Sequence, residues 1–377
     1  MSQRYGLVLS GGGARGAFQA GVVRALYELS KEAGHFRLFR IITGVSAGAI
    51  NVGFLAAHAD DLDAATQKLC DLWRSLQAED VFRTDYSSLT RNALKLARGV
   101  SLGGLSSKLR ASSVGLLNTE PLRDLLERNL PFNKIAAHIA NDLLDAVCVS
   151  ATDYSTSVGV TFVQGKPDLK AWKSANRIST FAELKADHIL ASSAIPLFFT
   201  PVTVGGRPFG DGSLRNTAPL SPAVHLGAER LFVVGVRRWR DVDLETSPIL
   251  QPSLGRVLSV LINAIFMDAV EVDLERLRII NQTVEQLRQA GIHPSYRPID
   301  SLYLCPSEGL SDIAKARKDD LPTIIRFLLA GLGTPEEAAE ILSYLLFEPG
   351  YCGALVDLGY KDAMSRRTEI LGFLSAP

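Results

Sequence analysis

Apolar residues dominate "YGLVLS" (5–10) and "FRIITG" (39–44), and each run stops at glycine. Short apolar runs without polar alternation predict strands buried on both faces. Each is followed by a helical pattern. After the first, Phe18, Val22, Leu26 and Leu29 recur at the spacing of a helix stripe. After the second, "AGAINVGFLAAH" is apolar nearly all round. Two strand–helix units predict an α/β fold of three layers, with a mostly parallel central sheet covered by helices on both faces.

The pattern continues with an amphipathic helix over 62–76, carrying Leu62, Ala65, Leu69, Leu72, Trp73 and Leu76 on one side. It is lost over 85–117, where "RGVSLGGLSSKLRASSVG" is rich in Ser and Gly. An irregular segment of this length is expected to be a functional loop or cover, or a disordered insertion. "DAVCVSATDY" and "VGVTFVQG" predict two strands joined by a turn, and "PVTV", "RLFVVGV" and "SLYLCP" predict further strands. From about Pro252 the chain becomes mainly helical. "TPEEAAEILSYLLF" begins with Thr334 as N-cap, Pro335 at the first helical position and Glu337 at the third. The expected organisation is a catalytic-sized domain over 1–250 and a helical C-terminal extension over 251–377 packed on it. "LSVLINAIFM" (258–267) is about half the length of a membrane-spanning helix and is expected to be a core helix.

Composition narrows the function classes. The chain has 377 residues, and its 40 basic residues balance its 40 acidic ones, so overall charge gives no support for nucleic-acid binding. Cys70, Cys148, Cys305 and Cys352 stand far apart, which disfavours a zinc site or disulfide framework and suits reduced thiols. The first strand begins by about Tyr5 with no signal-peptide pattern before it, so the expected compartment is cytoplasmic. No metal site or cofactor is expected.

The glycines of "SGGGARG" admit two readings. Gly11-x-Gly13-x-x-Gly16 follows a strand and opens a helix, as a dinucleotide-binding loop does. That loop also needs a carboxylate at the end of the second strand. Here the strand ends at Thr43 and Gly44, and no carboxylate follows until Asp60. A phosphate loop lacks its G-K-[ST] ending. The second strand runs instead into "GVSAG" (44–48), a G-x-S-x-G between a buried strand and an apolar helix. In that setting a serine sits on a sharp turn with its hydroxyl presented, here Ser46 between Gly44 and Gly48. Consecutive amides of the glycine loop at a helix N-terminus would then hold an oxyanion.

A serine nucleophile needs a base. None of His35, His58, His138, His188, His225 and His293 lies in a glycine-flanked turn that would present a catalytic group. Asp211 does, in "FGDGSLRN" after a short strand, and a carboxylate within hydrogen-bond reach of a serine can serve without histidine.

Five segments occur in order: "SGGGARGAFQAGVVRAL", "ITGVSAGAINVGFLA", "SATDYSTSVGVTF", "ASSAIPLFFTPV" and "DGSLRNTAPL". This series resembles the patatin-like phospholipases, and "SYLLFEPGYCGALVDLGYKDA" is similar to the tail of bacterial members. The resemblance implies a patatin-like fold and a Ser–Asp dyad hydrolase acting on lipid acyl esters. Ser46 would be the nucleophile and Asp211 its base. Gly11, Gly12, Gly13, Ala14, Arg15 and Gly16 would form the oxyanion loop, with Gly12, Gly13 and Ala14 as the foremost donors. Gly212 would shape the Asp turn, where this chain has Asp211-Gly212-Ser213 in place of the commoner D-G-G or D-G-A.

The partners implied are a lipid acyl ester and a transient membrane surface, with a homodimer also compatible. Lys108 and Arg110 among Leu102, Leu105, Leu109, Leu116 and Leu117 would suit an interfacial lid. Acyl transfer or thioester hydrolysis by the same dyad, and a silent scaffold, remain alternatives on the sequence alone.

Overall fold

The computed structural model describes residues 4–83, 115–238, 253–266, 268–317, 320 and 335–375. Most of the 85–117 segment, Thr334 and the expected boundary at 250 lie outside them, including Lys108 and Arg110. Among the described residues, ten strands form one sheet: β1 (Tyr5–Leu9), β2 (Ile41–Val45), β3 (Ala146–Asp153), β4 (Val158–Gly165), β5 (Lys173–Ser174), β6 (Arg177–Phe181), β7 (Val202–Val204), β8 (Arg207–Asp211), β9 (Arg230–Val234) and β10 (Asp300–Leu304). The strand order is β10-β9-β1-β2-β3-β4-β6-β5, with β7 and β8 joined to the far end of β3. The run from β10 to β3 is parallel, whereas β4 and β8 both pair antiparallel with β3.

The fold is α/β with helices on both faces, of the patatin type, with additional helices at the C-terminal end. β1, β2 and β9 are buried at every position, as their unbroken apolar runs require. The helices are α1 (Gly16–Glu32), α2 (Ala47–Ala57), α3 (Leu62–Ser75), α4 (Ala78–Val81), α5 (Glu120–Asn129), α6 (Lys134–Ala140), α7 (Ala186–Ser192), α8 (Ser221–His225), α9 (Leu254–Phe266), α10 (Asp268–Gln289), α11 (Leu310–Ala316), α12 (Pro335–Leu345), α13 (Pro349–Ser365) and α14 (Arg367–Ser375). α3 starts where Asp61 Oδ1 accepts the Ala64 amide, an N-cap that satisfies one orphan donor of the first turn.

The late strand expected at "SLYLCP" is β10, which extends the central sheet beside β9, and α13 packs along α1. α9, expected in the core, places one face there: Ser259 and Ile262 are buried, whereas Val260 and Leu261 are each 54% exposed. An apolar run identifies a helix, and its neighbours decide which face is covered.

Candidate active site

β2 ends at Val45, and α2 starts at Ala47, so Ser46 alone makes the turn. Its backbone sits at φ 55° and ψ −124°, a conformation that side-chain-bearing residues rarely adopt. The Ser46 amide donates to Ser192 Oγ at 3.0 Å, and Ser192 Oγ donates to the Ser150 carbonyl at 2.6 Å. The elbow is thus tied to α7 and β3. Gly44 and Gly48 close it from behind, because a Cβ on Gly44 would lie 2.3 Å from the Gly48 carbonyl oxygen.

The sheet brings Asp211 to the same place. Val45 is in register with Ser150 on β3, and the next β3 residue, Ala151, is in register with Asp211 on β8. The carboxylate therefore arrives beside the serine from the opposite chain direction. Gly212 makes the approach fit: a Cβ there would stand 2.0 Å from the Ser150 carbonyl and 2.6 Å from Val45 Cγ2. Asp211 is fully buried, its Oδ1 accepts the Ser213 amide at 2.8 Å, and its carbonyl accepts from Thr152 Oγ1 at 2.8 Å. Oδ2 has no hydrogen-bond partner among the described residues.

Burial pushes the Asp211 carboxyl up to about 6, against the opposing pull of the nearby Ser46 hydroxyl and the Ser213 amide. The hydroxyl is close enough to stabilise the carboxylate but does not meet it in hydrogen-bond geometry. A catalytic hydrogen bond that forms fully only with substrate in place behaves in this way. If Asp211 must be ionised to act, kcat/KM should be half-maximal near pH 6 and fall about tenfold per pH unit below it. A pH–rate profile checks this; a flat profile from pH 7 to 4.5 would exclude Asp211 as the titrating base.

The glycine loop runs from β1 into α1 through a single 3₁₀ turn, Gly13–Arg15. Among the described residues, the amides of Gly11, Gly12, Gly13 and Ala14 donate to no protein group. Arg15 and Gly16 are different: their amides are taken up by carbonyls within the turn, Arg15 N donating to Gly12 O at 3.1 Å. The Arg15 side chain also turns away, its Nε donating to Ser343 Oγ at 2.9 Å, its Nη2 pairing with Glu340, and its guanidinium lying over the Tyr344 ring. Of the six expected residues, Gly11, Gly12, Gly13 and Ala14 have amides that donate to no group among the described residues, whereas those of Arg15 and Gly16 are used within the turn. Gly13 has φ +56°, and a Cβ on it would lie 2.3 Å from the Tyr344 carbonyl oxygen, so α12 rests directly on the loop.

Sequence reasoning also missed the groups that hold loop and elbow together. Asn51 Nδ2 donates to Gly16 O and Gln19 Oε1 at 3.0 Å each, and its Oδ1 accepts from Trp73 Nε1 at 2.7 Å. Gln19 Nε2 reaches the Ser10 carbonyl at 2.8 Å. This buried, satisfied network fixes α1, α2 and α3 in mutual register. Gly13 and Ser46 face one apolar pocket of about 30 Å³, whose walls include Ile50, Trp73, Phe199 and Phe347.

A family model described as patatin-like phospholipase matches residues 7–224. The chain belongs to that family. Among solved structures it is similar to VipD from Legionella pneumophila, with a TM-score of 0.36 and 14% identity over 97% of this chain and 67% of that one. No curated protein sequence matches it. Membership of the patatin-like phospholipases assigns the chain broadly to the lipid acyl hydrolases. Ser46, Asp211 and the glycine loop all fall within the matched span. Tyr344 and Phe347, which touch the loop and the pocket, lie beyond it.

Proposed function

We propose that this patatin-like protein hydrolyses fatty-acyl esters of phospholipids or lysophospholipids through a Ser46–Asp211 dyad. The observation that carries the reading is a strained serine, a buried carboxylate whose Oδ2 has no partner among the described residues, and glycine-loop amides that donate to none of them, all at one end of the parallel strands, with Gly13 and Ser46 facing one pocket. Ser46 Oγ attacks the acyl carbon as Asp211 takes its proton. Amides of the glycine loop hold the oxyanion of the tetrahedral intermediate. Its collapse expels the alcohol, which leaves with that proton, and an acyl-Ser46 ester remains. Water then attacks this ester, Asp211 accepting the water's proton and returning it to Ser46 as free fatty acid departs.

A lipid-surface contact is part of the proposal. α9 packs beside the turn that follows Asp211, and its outward residues Val257, Val260 and Leu261 are exposed. No helix among the described residues is long and apolar enough to cross a membrane.

The purified chain should release fatty acid from phosphatidylcholine or lysophosphatidylcholine vesicles. An alkyl fluorophosphonate should stop the release, and mass spectrometry should locate the adduct on Ser46. Inhibition with the adduct elsewhere, or lipid turnover that survives full labelling of Ser46, would refute the mechanism.

A further inference from the structure

We infer that Phe347 sets the length of acyl chain the site accepts. The inference rests on the reading of Ser46 as the nucleophile and goes beyond it to the substrate. An ester whose carbonyl lies between Ser46 and the glycine-loop amides must send its acyl chain into the apolar pocket that Ser46 and Gly13 both line. As the chain is folded, that pocket has about 30 Å³, room for roughly one water. Ordinary ligand pockets hold about 300 Å³ or more. One of its walls must therefore limit how far an acyl chain can run.

The walls differ in what holds them. Ile50 lies in the first turn of α2, directly after the elbow, and Trp73 is fixed through its Nε1–H to Asn51. Changing Trp73 would break the bond that holds Asn51 between loop and elbow. Phe347 stands apart from that network. It lies in the short join between α12 and α13, where its amide donates to the Leu345 carbonyl at 2.9 Å. Its buried ring meets Phe82 edge-on at 6.2 Å between centroids, and Phe82 in turn neighbours Phe199 at 6.1 Å. α12 is clasped to the glycine loop through Arg15, Glu340 and Ser343, which fixes where Phe347 stands relative to Ser46. Phe347 is thus a pocket wall supplied from outside the matched family span, and no hydrogen bond of the dyad passes through it.

A smaller side chain at 347 extends the pocket toward the join of α12 and α13 and leaves the reacting groups where they are. The test compares kcat/KM for p-nitrophenyl butyrate and laurate in the wild type, Phe347→Leu and Phe347→Ala. The expected result is a laurate-to-butyrate ratio raised about tenfold by Phe347→Ala and less by Phe347→Leu. An unchanged ratio, or a parallel loss on both esters, would overturn the inference. If Phe347→Ala does not fold, the Phe347→Leu ratio decides alone. If the wild type cleaves neither ester, the mechanistic reading fails separately. Calorimetric binding of octanoate and palmitate to Ser46→Ala, with and without Phe347→Leu, then decides the pocket: a shift toward palmitate supports the role, and no shift refutes it.

Discussion

Ser46→Ala should give a folded protein whose ester hydrolysis falls by roughly 10⁴-fold or more, since loss of a nucleophile removes the covalent route entirely. Apart from its pull on the Asp211 carboxylate the hydroxyl holds no other group among the described residues, and the amide that binds Ser192 is retained in alanine. Stability should therefore change little. Ser46→Gly separates catalysis from strain. A residue with a Cβ at φ 55° and ψ −124° carries about 1–3 kcal/mol of backbone strain, which glycine relieves. Glycine gives back about 1 kcal/mol through its freer unfolded chain. Of the two inactive proteins, Ser46→Gly should be at least as stable as Ser46→Ala in urea unfolding. A marked loss of stability in glycine relative to alanine would show that the turn is not strained.

Asp211→Asn should abolish turnover to a similar extent and strengthen the fold. Asparagine can keep Oδ1 as acceptor for the Ser213 amide but cannot take the serine proton. The folded-state pKa of Asp211 is raised to about 6, above the roughly 3.9 of an unfolded aspartate. The folded protein therefore binds this proton more tightly than the unfolded chain does. The ionised carboxylate costs nothing below about pH 4, costs progressively more from pH 4 to 6, and about 2–3 kcal/mol above that. Unfolding in urea at pH 8 should show Asp211→Asn more stable by about that amount, with the gap shrinking toward pH 4.5. A variant less stable than wild type at pH 8 would contradict the burial of an unsatisfied charge.

Much of this site is legible in the sequence because its chemistry is local. The strand, the glycine run and the start of α1 are contiguous, as are β2, Ser46 and α2. Asp211 is readable from its turn, although its nearness to Ser46 depends on two strand registers across 165 residues of chain. The remainder is hidden for that kind of reason. Nothing in "ASSAIP" indicates that the Ser192 hydroxyl receives the Ser46 amide, and nothing in "SYLLFEP" says that Tyr344 lies on Gly13. The Arg15 side chain pairs with Glu340, 325 residues away, which no local pattern indicates. α9 reads as core because hydropathy does not report which neighbour is present.

The place of β1 in the sheet bears on how the chain reaches this state. β1 pairs with β2 on one side, Gly6 opposite Ile41 35 residues on, but on the other side with β9, whose Arg230 lies opposite Tyr5. At ordinary rates of synthesis, roughly 10–45 s pass between the emergence of these partners. For that interval one side of an apolar strand has unpaired backbone groups and can recruit another chain. The glycine loop continues directly from β1, so its setting is complete only once β9 and α12 have been made. Folding of this protein is accordingly expected to be slow and concentration-sensitive, because its central strand is made well before β9, which encloses it.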